Sequence, residues 1–185
     1  MWIISKLPLM TDIIKKTGLK IGTCLGLILI LFISYIYFQD LQLITNVWAG
    51  VFTLLVTVSF GIISIVFIKN KLNGFITFKE AFSAYFFAIL IGSIISCLYL
   101  IILYNFVLHP ETKEIIKQTM IDFNVKLMKQ DPSSTQEKIN EALKSYKTFN
   151  PFNAIEVITT SIKYLLRDSL IGFLVALIFR NKRKQ

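Results

Sequence analysis

The chain is short of charge and nearly devoid of histidine, cysteine and proline. Its 185 residues include one His, two Cys and four Pro, and only 17% are charged. Each shortage excludes something. Soluble domains carry about 25% charged residues, so a soluble globular enzyme is disfavoured. A zinc centre needs several Cys, His or carboxylate ligands, and His109 has no such cluster around it in the sequence. Cys24 and Cys97 both sit inside apolar blocks. That argues against a disulfide framework and leaves both as small hydrophobes. The sequence has no Ser-His-Asp or Cys-His set, no HExxH and no phosphate-binding loop. The reading is therefore of a non-enzyme, with no catalytic, cofactor-binding or metal-binding residue and no cofactor assigned.

What the chain does have is apolar length. It is 55% hydrophobic, with a mean hydropathy of +0.65. Crossing about 30 Å of hydrocarbon takes about 20 apolar residues, and four blocks approach that length: 18–38, 44–68, 82–108 and 157–179. The first holds one charge, Lys20, at its edge; the second and third hold none. The fourth contains Lys163, Arg167 and Asp168, and its uncharged part, 169–179, is too short to span alone. The expected fold is all-α. Residues 1–185 form a single integral membrane domain of four transmembrane helices, with an extracytoplasmic helical hairpin over about 110–149 between the third and fourth. The first block is longer than a signal-peptide core and no small-x-small cleavage site follows it, so it reads as a retained span. Ahead of it, Trp2, Ile3, Ile4, Ile13 and Ile14 alternate with Lys6, Lys15 and Lys16. This mixture fits either an interfacial segment or a frayed tail, and Met10 is an alternative start.

Charge sets the orientation. Four spans put both termini and the loop over 69–81 on one side. That side holds eleven basic residues against two acidic ones, Asp12 and Glu80, so the whole net charge of +9 lies there. Lys and Arg favour the cytoplasmic face. The expectation is a multi-pass membrane protein with both termini cytoplasmic. The basic tail over 180–184 is short and reads as a topological anchor, so no nucleic-acid partner is expected.

The long segment between the third and fourth blocks has helical punctuation. Pro110 suits a first helical turn, and Ile116, Met120, Phe123 and Leu127 share one helical face. Residues 130–134 break the pattern. Ser134 with Glu137 has the form of a capping box, after which Ile139, Ala142, Leu143 and Tyr146 recur at helical spacing. These faces either bury each other or form a docking or lipid-facing surface. Thr77 and Glu80 form another capping box, which starts the third helix before the hydrocarbon.

Small residues indicate how the helices meet. Gly18, Gly22 and Gly26 recur every four residues in the first block, and Ala84, Ala88, Gly92 and Ser96 do so in the third. Such ridges let backbones approach closely, so the first and third helices should pack in parallel. Homodimerisation through the glycines is the rival use. Thr53, Thr57 and Gly61 form a weaker ridge. In the fourth block Asp168, Gly172 and Ala176 share a stripe that should face other helices, because charge in a membrane avoids lipid. Structural pairing with Arg167 or hydroxyls, a shallow water-exposed start to the span, and a proton-relay or transport role are the three readings of Asp168. Lys163 and Arg167 can snorkel towards headgroups.

One pattern resembles a known family. It combines Gly18-x-x-x-Gly22 at the first span, Gly74-Phe-Ile-Thr-Phe-Lys-x-Ala81-Phe82 opening the third, a charged hairpin, and a basic tail. This is similar to the small bacterial integral membrane proteins grouped as domain of unknown function 4199, from about Thr17 onward. The resemblance implies a four-helix bacterial inner-membrane protein, with no activity or functional residue to carry over. Family members have a more apolar fourth span. Two function classes stand side by side. One is a non-enzymatic interaction, scaffold or accessory protein. The other is a subunit of a small oligomeric transporter or channel, with Asp168 as its polar point. The partners implied are the lipid bilayer and either a second copy or another membrane protein.

Overall fold

The computed structural model describes residues 6–132 and 134–181. Trp2, Ile3 and Ile4 of the proposed interfacial segment, and the tail beyond Asn181, lie outside them. Six α-helices and no strand occur among the described residues: α1 (Lys6–Phe38), α2 (Val47–Lys71), α3 (Phe78–Ile102), α4 (Pro110–Gln130), α5 (Gln136–Thr148) and α6 (Ala154–Phe179). A 3-10 turn over Leu41–Thr45 joins α1 to α2, and a π-helical turn over Leu103–Val107 extends α3.

Local chemistry sets most boundaries. α2 starts at Val47, not at 44, because the Asn46 side chain accepts from Trp48 N at 2.8 Å and caps the helix there. α3 begins as expected. Thr77 Oγ1 accepts from Glu80 N, and Glu80 Oε2 accepts from Thr77 N at 2.8 Å, which makes a complete capping box. Asn73 and Gly74, both at positive φ, turn the chain out of α2. α4 carries Pro110 in its first turn. The start of α5 differs from expectation. The cap is Thr135, whose hydroxyl accepts from Lys138 N, rather than Ser134 paired with Glu137. Adjacent hydroxyls compete for one capping role, and the one extended at the last non-helical position takes it.

Three stretches are long and apolar enough to cross a membrane: Asp12–Phe38, Val47–Lys71 and Phe78–Val107. α6 has 26 residues, but Glu156, Lys163, Arg167 and Asp168 interrupt its apolar character.

α3 is the centre of the bundle, packing on α1, α2 and α6, and α1 is its most extensive neighbour. The α1–α3 contact ascends in register, so the two helices are parallel. Gly18 faces Phe87, Gly22 faces Ala88 and Ile91, Leu25 faces Gly92, and Gly26 faces Ile95. The expected small-residue contact is thus present. A Cβ at Gly22 would lie 2.6 Å from the Ala88 carbonyl oxygen, so here backbone approaches backbone. At the end holding the lysines, Lys69 Nζ donates to Phe179 O, Lys71 Nζ donates to Thr17 Oγ1, and Asn181 N donates to Ile76 O. This is the basic end of the bundle. α4 and α5 lie at the other, hairpin end.

The hairpin helices bury little. Ile116 and Ile139 are buried, whereas Leu127 is exposed. Ile116 packs with Leu103 and Leu108, so α4 docks on the bundle end as well as on α5.

Candidate functional site

Inside the bundle the polar chemistry gathers around two residues, Tyr85 on α3 and Asp168 on α6. Tyr85 is 0% exposed. It follows Ala84 and lies one turn after Ala81 and one before Ile89, all buried on the inward side of α3. Two glycines make room for its ring. Gly61 of α2 faces one edge and Gly172 of α6 faces the other, and a Cβ at either would overlap ring carbons. The ring therefore fills the middle of the bundle. Ser64, one turn beyond Gly61, donates to Ala84 O at 2.8 Å and ties α2 to α3 at the same level.

Asp168 is one turn from Gly172 on the same stripe of α6, and Ala176 is one turn further. All three are buried. The expectation that this stripe faces other helices holds. Asp168 Oδ1 accepts from Arg167 Nε at 2.8 Å, a local pairing with its sequence neighbour. The partner is adjacent in sequence. It lies about 100° around the helix and keeps 44% of its side chain exposed. The Arg167 guanidinium also lies 5.0 Å from the centre of the Tyr164 ring. Asp168 lies one turn from Gly172, the residue that faces the Tyr85 ring. Among the described residues, the buried Tyr85 hydroxyl has no hydrogen-bond partner. A polar atom in that state costs about 1–3 kcal/mol.

A second polar layer lies nearer the hairpin end. Tyr37 and Tyr104 share a hydrogen bond between their hydroxyls, and Ser34 Oγ meets Tyr99 Oη at 2.5 Å. The Tyr104 ring stacks edge-on against Phe152, in the segment leading into α6. These pairs continue the α1–α3 seam beyond the glycines and replace close backbone contact with hydroxyl bridges. The π-helical turn begins beside Tyr104; such turns are frequent at functional positions.

The other chemistry-bearing residues stay apart. Among the described residues no group of three or more His, Cys, Asp and Glu could hold a metal ion. His109 precedes α4 and makes no side-chain cap bond. Cys24 is exposed and Cys97 half-buried, and both are free thiols. A shallow cleft of about 70 Å³ lies between α4 and α5, lined by Met120, Asn124, Tyr146 and Pro151 among others.

Sequence reasoning singles out Asp168 and Arg167 but passes over Tyr85 and the tyrosine pairs. A tyrosine in an apolar run reads as one more large hydrophobe. The available signal was size: Gly61 and Gly172 are small residues on two separate helices that need a large partner.

The model of a family described as Protein of unknown function (DUF4199) matches residues 20–181. No curated protein and no solved structure matches the chain.

Proposed function

The chain belongs to the DUF4199 family of proteins of unknown function, and from that premise we propose a multi-pass, non-enzymatic membrane protein acting as a scaffold or accessory subunit. In this reading α6 is a fourth span beside α1, α2 and α3. The protein sits in a bacterial inner membrane, with both termini cytoplasmic and the α4–α5 hairpin on the outer side. The excess of Lys and Arg at the basic end supports the orientation. One observation carries the scaffold reading. The bundle interior is occupied by the Tyr85 ring, wedged between Gly61 and Gly172, and Asp168 is already paired with Arg167. Such a centre holds helices together and fills the space between them with a ring.

The second reading is a subunit of an oligomeric transporter. The intramembrane Asp168–Arg167 pair favours it, since ionisable residues within spans often mark conduction or relay sites. Asp168→Asn separates the two. A scaffold keeps its cellular phenotype with the amide in place. Loss of the phenotype at unchanged abundance and melting temperature would move transport to first place. Topology is tested with Ser134→Cys in cells whose outer envelope is permeabilised. Labelling by an impermeant thiol reagent before lysis is expected. Labelling only after lysis would reverse the orientation.

A further inference from the structure

α6 carries two exposed cations where a membrane span should have none. Lys163 and Arg167 are one helical turn apart on one flank. Tyr164 is 57% exposed and lies against the Arg167 guanidinium. Their depth follows from helix length. The 26 residues of α6 extend about 39 Å, longer than the roughly 30 Å of hydrocarbon. Measured from Phe179 at the basic end, about 20 residues of helix reach the vicinity of Thr160 before the hydrocarbon ends. Lys163 and Arg167 then start about one and two turns beneath that boundary. α6 enters from the hairpin end, so its side chains tilt back towards that boundary. Snorkelling brings the Lys163 head to the headgroup layer, while the Arg167 guanidinium, held against Asp168, offers its free edge from about one turn below.

We propose that Lys163 and Arg167, with Tyr164 beside them, bind the singly charged phosphate of an anionic phospholipid headgroup at the hairpin end of the bundle. This rests on the reading of α6 as a span. Three features converge on it. First, Arg167 is fixed in place: its Nε is held at 2.8 Å by the buried Asp168 carboxylate, while nearly half of its side chain stays exposed. A guanidinium anchored through one edge is pre-organised to offer the other to a phosphate. Second, the charges leave a net of one positive, since Lys163 and Arg167 are opposed by Asp168. Glu156 lies on the same flank two turns nearer the hairpin, which further disfavours a doubly charged ligand. Third, the flank continues below the cations as Leu174 and Ile178, both exposed. These lie at helical spacing from Arg167, seven and eleven residues on. A cationic head position above an apolar track fits a lipid with its acyl chain, whereas a free phosphate would use only the upper half.

The test is native mass spectrometry of the purified full chain in gentle detergent, supplied with equal phosphatidylglycerol and phosphatidylcholine. The expected result is about fivefold preferential retention of phosphatidylglycerol, the worth of one cation at a membrane surface. Lys163→Gln should reduce the preference to near unity, and the pair Arg167→Gln with Asp168→Asn should weaken it without leaving a buried carboxylate alone. Lys126→Gln, an exposed position on α4, should leave it intact. Equal retention of the two lipids by the unaltered chain overturns the proposal. So does a preference that survives Lys163→Gln, or one that Lys126→Gln reduces equally. Inorganic phosphate in place of lipid distinguishes the sources: Lys163-dependent capture of phosphate without lipid preference overturns the lipid assignment. Failure of the membrane reading would appear separately, as a chain that stays soluble and monodisperse without detergent.

Discussion

Gly172 of α6 lies directly against the ring of Tyr85 of α3, close enough that a methyl group at 172 would overlap the ring carbons. The contact is one half of a clamp, because Gly61 of α2 closes on the opposite edge. Three helices therefore meet around one side chain. The depth of each helix along the bundle is set by a large residue seated between two absent ones.

The clamp predicts non-additive energetics. In Gly172→Ala the ring has to move, but Gly61 blocks its retreat. Overpacking of this kind costs about 1–3 kcal/mol. In a Tyr85→Leu background the smaller side chain leaves room, and the cost of Gly172→Ala should fall. Thermal unfolding of the four variants in one detergent measures the coupling, which residues in contact show and distant ones do not. Equal costs in both backgrounds would mean that the ring is free to move.

The α1–α3 seam makes a sharper comparison among glycines. A Cβ at Gly22 meets the Ala88 carbonyl oxygen, which is backbone and has little freedom to shift. A Cβ at Gly50 meets nothing within 4 Å. Gly22→Ala should lower the melting temperature. Gly50→Ala should leave it unchanged or raise it, since glycine in a helix interior is disfavoured against alanine by about 1 kcal/mol. A melting temperature unmoved by Gly22→Ala would argue that α1 and α3 do not meet there.

The contrast between these glycines also shows what the sequence discloses. A ridge repeating every four residues on α1, matched by one on α3, pointed to a parallel seam, with homodimerisation as the rival use, and the fold puts Gly18, Gly22 and Gly26 against α3. The uncharged runs over 44–68 and 82–108 were equally plain, since water offers no stable place for them. Helix ends were less so. Asn46 delays the start of α2 to Val47 by capping it there, and Thr135 displaces Ser134 by a one-residue difference in backbone. The Tyr85 clamp was not legible, because its members lie on α2, α3 and α6 and only the fold brings them together. The polar centre was half legible: Asp168 with Gly172 and Ala176 pointed inward by spacing, while the phenol beside it looked like core.

Tyr85 provides the third prediction. Its hydroxyl is buried without a hydrogen-bond partner among the described residues, so the phenol carries a desolvation cost that a phenyl ring does not. Tyr85→Phe keeps the ring that the two glycines clamp and removes only the oxygen. The expected outcome is a melting temperature equal to or above that of the unaltered protein, with membrane abundance unchanged. A drop equivalent to about 1 kcal/mol or more would show that the hydroxyl has a partner within the folded protein.

The last prediction concerns the ion pair on α6. Asp168 is 5% exposed, while the Arg167 side chain is 44% exposed, so the two partners do not contribute alike. Removing the arginine alone leaves a carboxylate in the bundle interior with its ion partner gone. Removing one member of a buried pair is more damaging than replacing both. Arg167→Leu should therefore destabilise the protein by about 1–3 kcal/mol, a range kept modest because the guanidinium is partly exposed. Asp168→Asn alone should cost less, since the amide oxygen can still accept from Arg167 Nε. Asp168→Leu should cost more than Asp168→Asn, because it leaves that donor without an acceptor. The double variant Arg167→Leu with Asp168→Asn should recover much of the loss of Arg167→Leu. Thermal unfolding of these variants in a common detergent provides the order. If Arg167→Leu is harmless by itself, the carboxylate is satisfied by something other than its neighbour. The structural role assigned to the pair would then fall, and Asp168 would be left as an acid held in the membrane for another purpose.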